Sequence, residues 1–126
     1  MRAIDTNVLV RLLVRDDREQ VKAAEEFVAA GAFVSHLVLV EAMWVLNVVY
    51  TRSADDIMAT VGMLLRHNAL VLQDPETVAA ALDEFRARPA LGFSDCLILQ
   101  TARKAGQLPL GTFDHALAKR PDVTRL

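Results

Sequence analysis

Short apolar runs and longer segments of helical spacing alternate along the chain. The short runs are continuous and end at polar residues, whereas apolar side chains recur every three to four residues in the longer segments. Helices are expected over residues 8–15, 18–30, 36–50, 53–68, 74–88, 96–105 and 114–120. Strands are expected at residues 2–5, 32–35, 69–72 and 108–112, with a last one near residue 123. This alternation predicts an α/β fold around a central, mostly parallel sheet of four to five strands.

The size of the chain is typical of one domain. Its 126 residues can bury a core without disulfide bonds, so one domain over residues 1–126 is expected. Hydrophobic residues make up 53% of the sequence, slightly more than the roughly 45–50% that is usual in soluble domains. This surplus predicts an apolar surface that a partner buries.

The charge balance narrows the possible partners. A net charge of −2 provides no overall positive field, so a nucleic acid would have to be held by local basic patches. The single cysteine, Cys96, and the lack of an apolar leader favour the cytoplasm. The most apolar stretch, residues 37–50, carries Glu41 and Asn47 and is too short and polar to cross a membrane.

Four acidic residues fall at corresponding places in the predicted fold. Asp5 ends the first strand, Asp114 follows the fourth, Asp95 precedes a helix, and Glu41 lies in the helix that leaves the second strand. Ligands of parallel α/β sheets bind beyond the carboxyl ends of the strands. We therefore expect the four carboxylates to converge at that edge.

Each acid also has an ordinary structural interpretation. Asp95 and Asp114 could cap helices, and Asp5 could be a turn residue. Glu41 lies in a helix that is apolar on nearly every face, so burial is expected, unless the carboxylate pairs with an arginine or reaches solvent. None of the four has a basic neighbour along its own helix. Clustered carboxylates repel each other and suit Mg²⁺ or Mn²⁺, which also bind phosphate oxygens, so the pattern favours a phosphodiesterase site.

Four short motifs resemble those of a known family. They are Ile4-Asp5-Thr6-Asn7, Val40-Glu41, Phe93-Ser94-Asp95 and Gly111-Thr112-Phe113-Asp114. In their order and spacing, and over the whole chain, they are similar to the PIN-domain nucleases, and among these to the VapC-like toxins of bacterial and archaeal toxin–antitoxin pairs.

This resemblance implies a fold, a reaction and residue roles. The fold would be a PIN-like α/β/α sandwich, and the reaction RNA cleavage that leaves a 5′-phosphate and a 3′-hydroxyl. Asp5 and Asp95 would bind the metal directly, while Glu41 and Asp114 would hold it through water or complete a second site. Thr6, Asn7 and Thr112 would hydrogen-bond to the carboxylates and orient them.

The remaining candidates concern binding rather than chemistry. The residues that could contact RNA phosphates are Arg11, Arg15, Arg86, Arg88 and Lys119. Trp44 lies in the most apolar helix, where such a residue is more often part of the core. Because this helix has more apolar faces than one core needs, packing against a second copy of the chain or an antitoxin is also expected. Pro109 has no strand hydrogen bond to donate, which predicts a strand edge or bulge. The histidines and Cys96 have no metal-ligand spacing, and Cys96 is expected to be a buried apolar residue.

Three other functions can be compared with the sequence. A phosphoacceptor receiver domain needs an acidic pair after its first strand and a lysine late in the sheet, and Asp5 stands alone here. A non-catalytic RNA-binding domain on the same fold has no support, because all four acids are present. A PIN nuclease that processes RNA without an antitoxin stays open on the sequence alone.

Overall fold

Contacts divide the chain into two units, Met1–Pro75 and Glu76–Leu126. A computed structural model describes all 126 residues. We describe each unit by itself. No helix in either of them is long and apolar enough to span a membrane.

The first unit contains a three-stranded parallel sheet and four helices. The strands are β1 (Arg2–Ala3), β2 (Ala32–Val34) and β3 (Leu70–Leu72), and they pair in that order. The helices are α1 (Thr6–Val14), α2 (Arg18–Val28), α3 (His36–Val48) and α4 (Ala54–Leu65). Because β1 and β2 are parallel, α1 and α3 both leave the sheet at its carboxyl edge.

Side-chain caps begin all four helices of this unit. Asp5, Asp17, Ser35 and Ser53 each accept a hydrogen bond from a backbone N–H in the first turn. Such bonds satisfy donors that have no partner inside a helix. At the other end of α1, Arg15 adopts a left-handed conformation, with φ 60°, and the chain turns into the loop before α2.

The core of the first unit lies where α1 packs against α2 and α3. Leu9 of α1 and Leu39 and Leu46 of α3 are almost completely buried. In β2, Ala32 and Val34 are fully buried while Phe33 between them is half-buried, as the alternation of a strand requires. This packing holds the start of α1 against α3.

The second unit contains two long helices and a two-stranded parallel ladder. The helices are α5 (Pro75–Ala87, whose first residue belongs to the first unit) and α6 (Phe93–Ala105). The strands are β4 (Leu110–Thr112) and β5 (Val123–Arg125), and one-turn 3₁₀ helices occupy Pro89–Leu91 and Leu117–Lys119. The rings of Phe85 and Phe93 lie 6.2 Å apart at an angle of 58° and join α5 to the start of α6.

The predicted α/β class with parallel strands is confirmed, and several details differ. The strands pair in ladders of three and two strands, where the sequence predicted one sheet. Pro109 precedes β4 instead of lying inside it, and the helix expected over residues 114–120 is only a 3₁₀ turn. Helix α6 begins at Phe93, three residues earlier than predicted, because Gly92 turns the chain with φ 80° and its carbonyl accepts the N–H of Cys96.

Candidate active site

Asp5 lies just beyond β1, at the carboxyl edge of the three-stranded sheet. The backbone N–H of Ile4 still bonds to Phe33, and the chain then turns into α1. One carboxylate oxygen of Asp5, Oδ1, accepts the N–H of Val8 at 3.1 Å. The side chain is exposed and its other oxygen has no hydrogen-bond donor from the chain. Asp5 is therefore both a helix cap and a carboxylate that can take a ligand.

Glu41 is exposed, so of the alternatives that the sequence left open, burial, an arginine partner or access to solvent, the structure shows access to solvent. The reason is the face of α3 on which it lies: Leu37 and Trp44, on either side of Glu41, are 70% and 62% exposed. The carboxylate accepts a hydrogen bond from the hydroxyl of Thr6, with 3.2 Å between Oγ1 and Oε1. Because Thr6 follows Asp5 directly, this bond ties Glu41 of α3 to the residue beside the first acid.

Asp95 and Asp114 form the corresponding pair in the second unit. Asp95 is in the first turn of α6 and is half-buried. Burial raises the pKa of its carboxyl group above the usual value, and the negative charge of Asp114 raises it further. Both effects disfavour the ionised form of Asp95.

Asp114 is held by backbone bonds in the turn after β4. Its Oδ1 accepts the N–H of Leu117 at 2.7 Å and so closes the turn that leads into the 3₁₀ helix. Its own N–H donates to the hydroxyl oxygen of Thr112 at 3.0 Å. Thr112 therefore orients the backbone at Asp114 rather than the carboxylate itself.

The four acids share one electrostatic property. None of them forms an ion pair with a lysine, arginine or histidine, although six ion pairs are found elsewhere in the two units. Oxygen ligands without a neutralising cation suit a hard divalent metal. Within neither unit, however, do three or more acidic, histidine or cysteine side chains form a group that could hold one. Each unit contains two of the four acids.

Of the three residues expected to hydrogen-bond to carboxylates and orient them, only Thr6 does so, by donating to Glu41. Thr112 accepts from the backbone N–H of Asp114 instead. The side chain of Asn7 is exposed and bonds to no carboxylate. Instead, it lines an open groove of about 410 Å³ between α1 and α2.

The arginines that were expected to contact RNA are mostly paired with acids. Arg11 donates to Asp16 at 2.6 Å, and Arg15 pairs with Glu25. On α5 and just beyond it, Arg86 lies 3.9 Å from Asp83 and Arg88 lies 3.7 Å from Glu84. Lys119 is exposed and has no ion pair. The pairing of the four arginines reduces the positive charge that each of them offers to a phosphate.

The sequence did not reveal two polar clusters. The hydroxyl group of Tyr50 accepts a hydrogen bond from Arg11 and donates one to Asp16. The hydrogen bond between Arg11 and Tyr50 is the main reason why the pKa of Arg11 is raised. In the second unit, Glu84 binds Arg120 at 2.7 Å with only 11% of the glutamate side chain exposed. Tyr50 lies more than 30 residues from both Arg11 and Asp16, and Glu84 lies 36 residues from Arg120, so no local pattern joins these partners.

The prediction for Cys96 is confirmed, because its side chain is fully buried. Burial, with the nearby negative charges of Glu84 and Asp95, raises the pKa of the thiol to about 11. A thiol with this pKa stays protonated at neutral pH and is a poor nucleophile or metal ligand.

Comparison with known proteins identifies the family. The family model of the PIN domain matches residues 3–123, which is nearly the whole chain and spans both units. Among curated proteins no relative matches significantly.

Proposed function

Since the chain belongs to the PIN-domain family, whose members are generally metal-dependent nucleases, we propose that it is a Mg²⁺- or Mn²⁺-dependent endoribonuclease. In this proposal Asp5, Glu41, Asp95 and Asp114 supply the metal ligands. Asp5 and Asp95 bind directly, and the other two act through water or at a second metal. The products are a 5′-phosphate and a 3′-hydroxyl.

The observation that carries this proposal is the pair Asp95 and Asp114. Asp95 is half-buried, has the negative charge of Asp114 beside it, and forms no ion pair with any cation of the chain. An arrangement of this kind costs folding free energy, and a bound divalent cation would offset the cost. Unneutralised acids of this kind are typical of sites whose counter-charge is a ligand.

The side chains around the acids fit a metal that is bound by oxygen. When bound, the metal supplies a bound water of lowered pKa and neutralises charge on the phosphate. Thr6 restricts Glu41 by donating to one of its oxygens and leaves the other free of protein donors. The backbone N–H groups of Val8 and Leu117 similarly engage one oxygen each of Asp5 and Asp114. These bonds orient the carboxylates before a ligand arrives.

Cleavage of pooled cellular RNA by the purified protein tests the proposal. We expect cleavage with Mg²⁺ or Mn²⁺, none after chelation, and 5′-phosphate ends in sequencing-based end mapping. The variant Asp95→Asn should lose this cleavage. Its matched control is Asp55→Asn, which should keep it, because Asp55 is likewise an acid in the first turn of a helix but is not one of the proposed ligands. Cleavage of equal rate in the presence of a chelator would refute the metal-dependent reaction.

We further propose that the protein is the toxin of a toxin–antitoxin pair and that its antitoxin covers one face of α3. This face, here called the α3 stripe, consists of Leu37, Glu41, Trp44 and Val48, which follow each other at helical spacing. Its three apolar members are more than half exposed. An antitoxin segment with apolar side chains on both sides of an arginine would complement the stripe and its one carboxylate.

Binding of the antitoxin should depend both on the apolar side chains of the α3 stripe and on its carboxylate, Glu41. Trp44→Ala is expected to weaken the complex far more than it changes the affinity for Mg²⁺, and rising Mg²⁺ should weaken inhibition if an arginine reaches the acids. Inhibition that is completely insensitive to Mg²⁺ would rule out that arginine. The expected homodimer is measured by light scattering: a dimer that Trp44→Ala dissociates, with antitoxin affinity unchanged, would assign the α3 stripe to a second copy instead.

A further inference from the structure

The groove between α1 and α2 is a cavity of the first unit whose lining includes a candidate metal ligand, Asp5. We call it the α1–α2 groove. Its volume is about 410 Å³, which falls in the roughly 300–1,000 Å³ range of small-ligand sites. Its walls are formed by Asp5, Asn7, Val8, Arg11, Gln20, Ala23, Ala24 and Phe27.

The apolar part of the groove offers flat and small surfaces. The ring of Phe27 is 40% exposed, and the methyl groups of Ala23, Ala24 and Val8 line the same space. Unpaired bases stack on aromatic rings, and every base has a face that can do so. These walls fit the faces of a planar heterocycle.

The polar part of the groove offers two free amides. The side chains of Asn7 and Gln20 are exposed and hydrogen-bond to no other residue of the chain. A side-chain amide places a donor next to an acceptor, which matches the edge of a nucleobase. An apolar protein side chain in the same place would leave both amides without partners, at a cost in binding free energy. The groove is therefore better suited to a base than to an apolar peptide.

One cation beside the groove, Arg2, can serve a phosphate next to a bound base. Its guanidinium group lies over one face of the Phe27 ring, 4.5 Å from the ring centre, so a base would stack on the other face. Arg11 is part of the wall, but its charge is paired with Asp16. Asp5 lies in the same wall, so a nucleotide in the groove has its sugar–phosphate close to a proposed metal ligand.

We propose that the α1–α2 groove binds one unpaired nucleobase of the RNA substrate and so sets which nucleotide lies beside the cleaved phosphodiester bond. The identity of the substrate rests on the proposed function. Recognition of the base itself does not, because it needs neither the metal nor all four acids.

Nucleosides test the groove independently of cleavage. Adenosine, guanosine, cytidine and uridine, which carry no phosphate, are titrated into the ¹⁵N-labelled wild-type protein without metal. We expect the side-chain NH₂ signals of Asn7 and Gln20 to shift with at least one nucleoside, while the matched NH₂ signal of the exposed Gln107 stays in place. No shift up to the solubility limit would overturn the proposal.

Variants then test the link to the substrate. Gln20→Ala and Phe27→Leu should change the base preference at the mapped cleavage sites and lower kcat/KM for the preferred site about 5- to 100-fold, the range for the loss of one stacked base. Phe27→Tyr should keep the wild-type preference, and Gln107→Ala should leave it unchanged. Nucleoside binding without any change of preference would contradict the substrate role, whereas a wild-type protein that binds nucleosides but does not cleave RNA would contradict only the proposed nuclease.

Discussion

The two units present their acids in opposite electrostatic settings. In the first unit Asp5 and Glu41 are exposed, and each accepts a hydrogen bond from a neutral donor of the protein. In the second unit Asp95 is half-buried and has the charge of Asp114 beside it. The carboxylates of the first pair therefore stay in contact with solvent. In the second pair, Asp95 is partly removed from solvent and lies beside a like charge, which a bound cation would compensate. This difference indicates that metal binding should stabilise the second unit more than the first.

The largest effect is expected from Asp95→Asn. This change keeps the shape of the side chain but removes a ligand charge, so cleavage should fall by more than about 100-fold, the upper range for groups that only support a metal ligand. Without metal the variant should be at least as stable as the wild type, because the repulsion from Asp114 is gone. RNA cleavage assays and thermal melts measure the two effects.

The same experiment on Asp5 sharpens the comparison. Asp5→Asn should also abolish cleavage while the protein stays folded, because asparagine is an equally good helix cap and only the ligand charge is lost. Near wild-type, metal-dependent activity in either variant would remove that residue from the ligand set.

Mg²⁺ or Mn²⁺ should raise the melting temperature, and most of this rise should depend on the acids of the second unit. A ligand that binds only the folded protein stabilises it by about 2.7 kcal/mol at 100 times its Kd, which for a chain of 126 residues corresponds to a shift of about 10 °C. Mg²⁺ or Mn²⁺ at millimolar concentration should produce this shift in the wild type and in Asp55→Asn, but not in Asp95→Asn. Ca²⁺ is expected to give a shift without supporting turnover. An equal shift in all three proteins would mean that the metal binds elsewhere.

A smaller effect is expected in the first unit from Thr6→Val, which removes only the hydroxyl that donates to Glu41. Loss of a bond that orients a ligand typically costs 10- to 100-fold in metal affinity or activity. Because Glu41 is exposed and free to move, we expect the lower end, about tenfold, and recovery in Thr6→Ser. The half-saturating Mg²⁺ concentration of cleavage gives the measurement, and an unchanged value would show that Glu41 needs no orientation.

The smallest effect is a slope of stability with pH. The pKa of Asp95 is raised in the folded state, so the folded protein binds more protons than the unfolded chain between the two pKa values, and stability falls as pH rises through that interval. Asp95→Asn should remove this contribution, and saturating Mg²⁺ should reverse it. Urea denaturation from about pH 4 to 7 without metal would detect the difference, and identical slopes in the wild type and the variant would contradict the raised pKa.

Local sequence patterns were sufficient for most of the fold. The short apolar runs predicted the five strands, and α3 and α4 begin at or next to the predicted first residues, 36 and 53. Errors arose where the evidence was not local. The start of α6 depends on the backbone conformation of Gly92, which the residue pattern alone does not fix.

What the sequence determined by itself is the family. The order and spacing of the motifs around Asp5, Glu41, Asp95 and Asp114 indicate the PIN-domain family, because family membership depends on residue type and order. The oxygen-only metal ligands that these acids would supply are part of the proposed function. Only the tertiary structure decided how each acid is held. The exposure of Glu41, its bond to Thr6 and the raised pKa of Asp95 depend on which distant segments come together, because burial and charge act through space rather than along the chain.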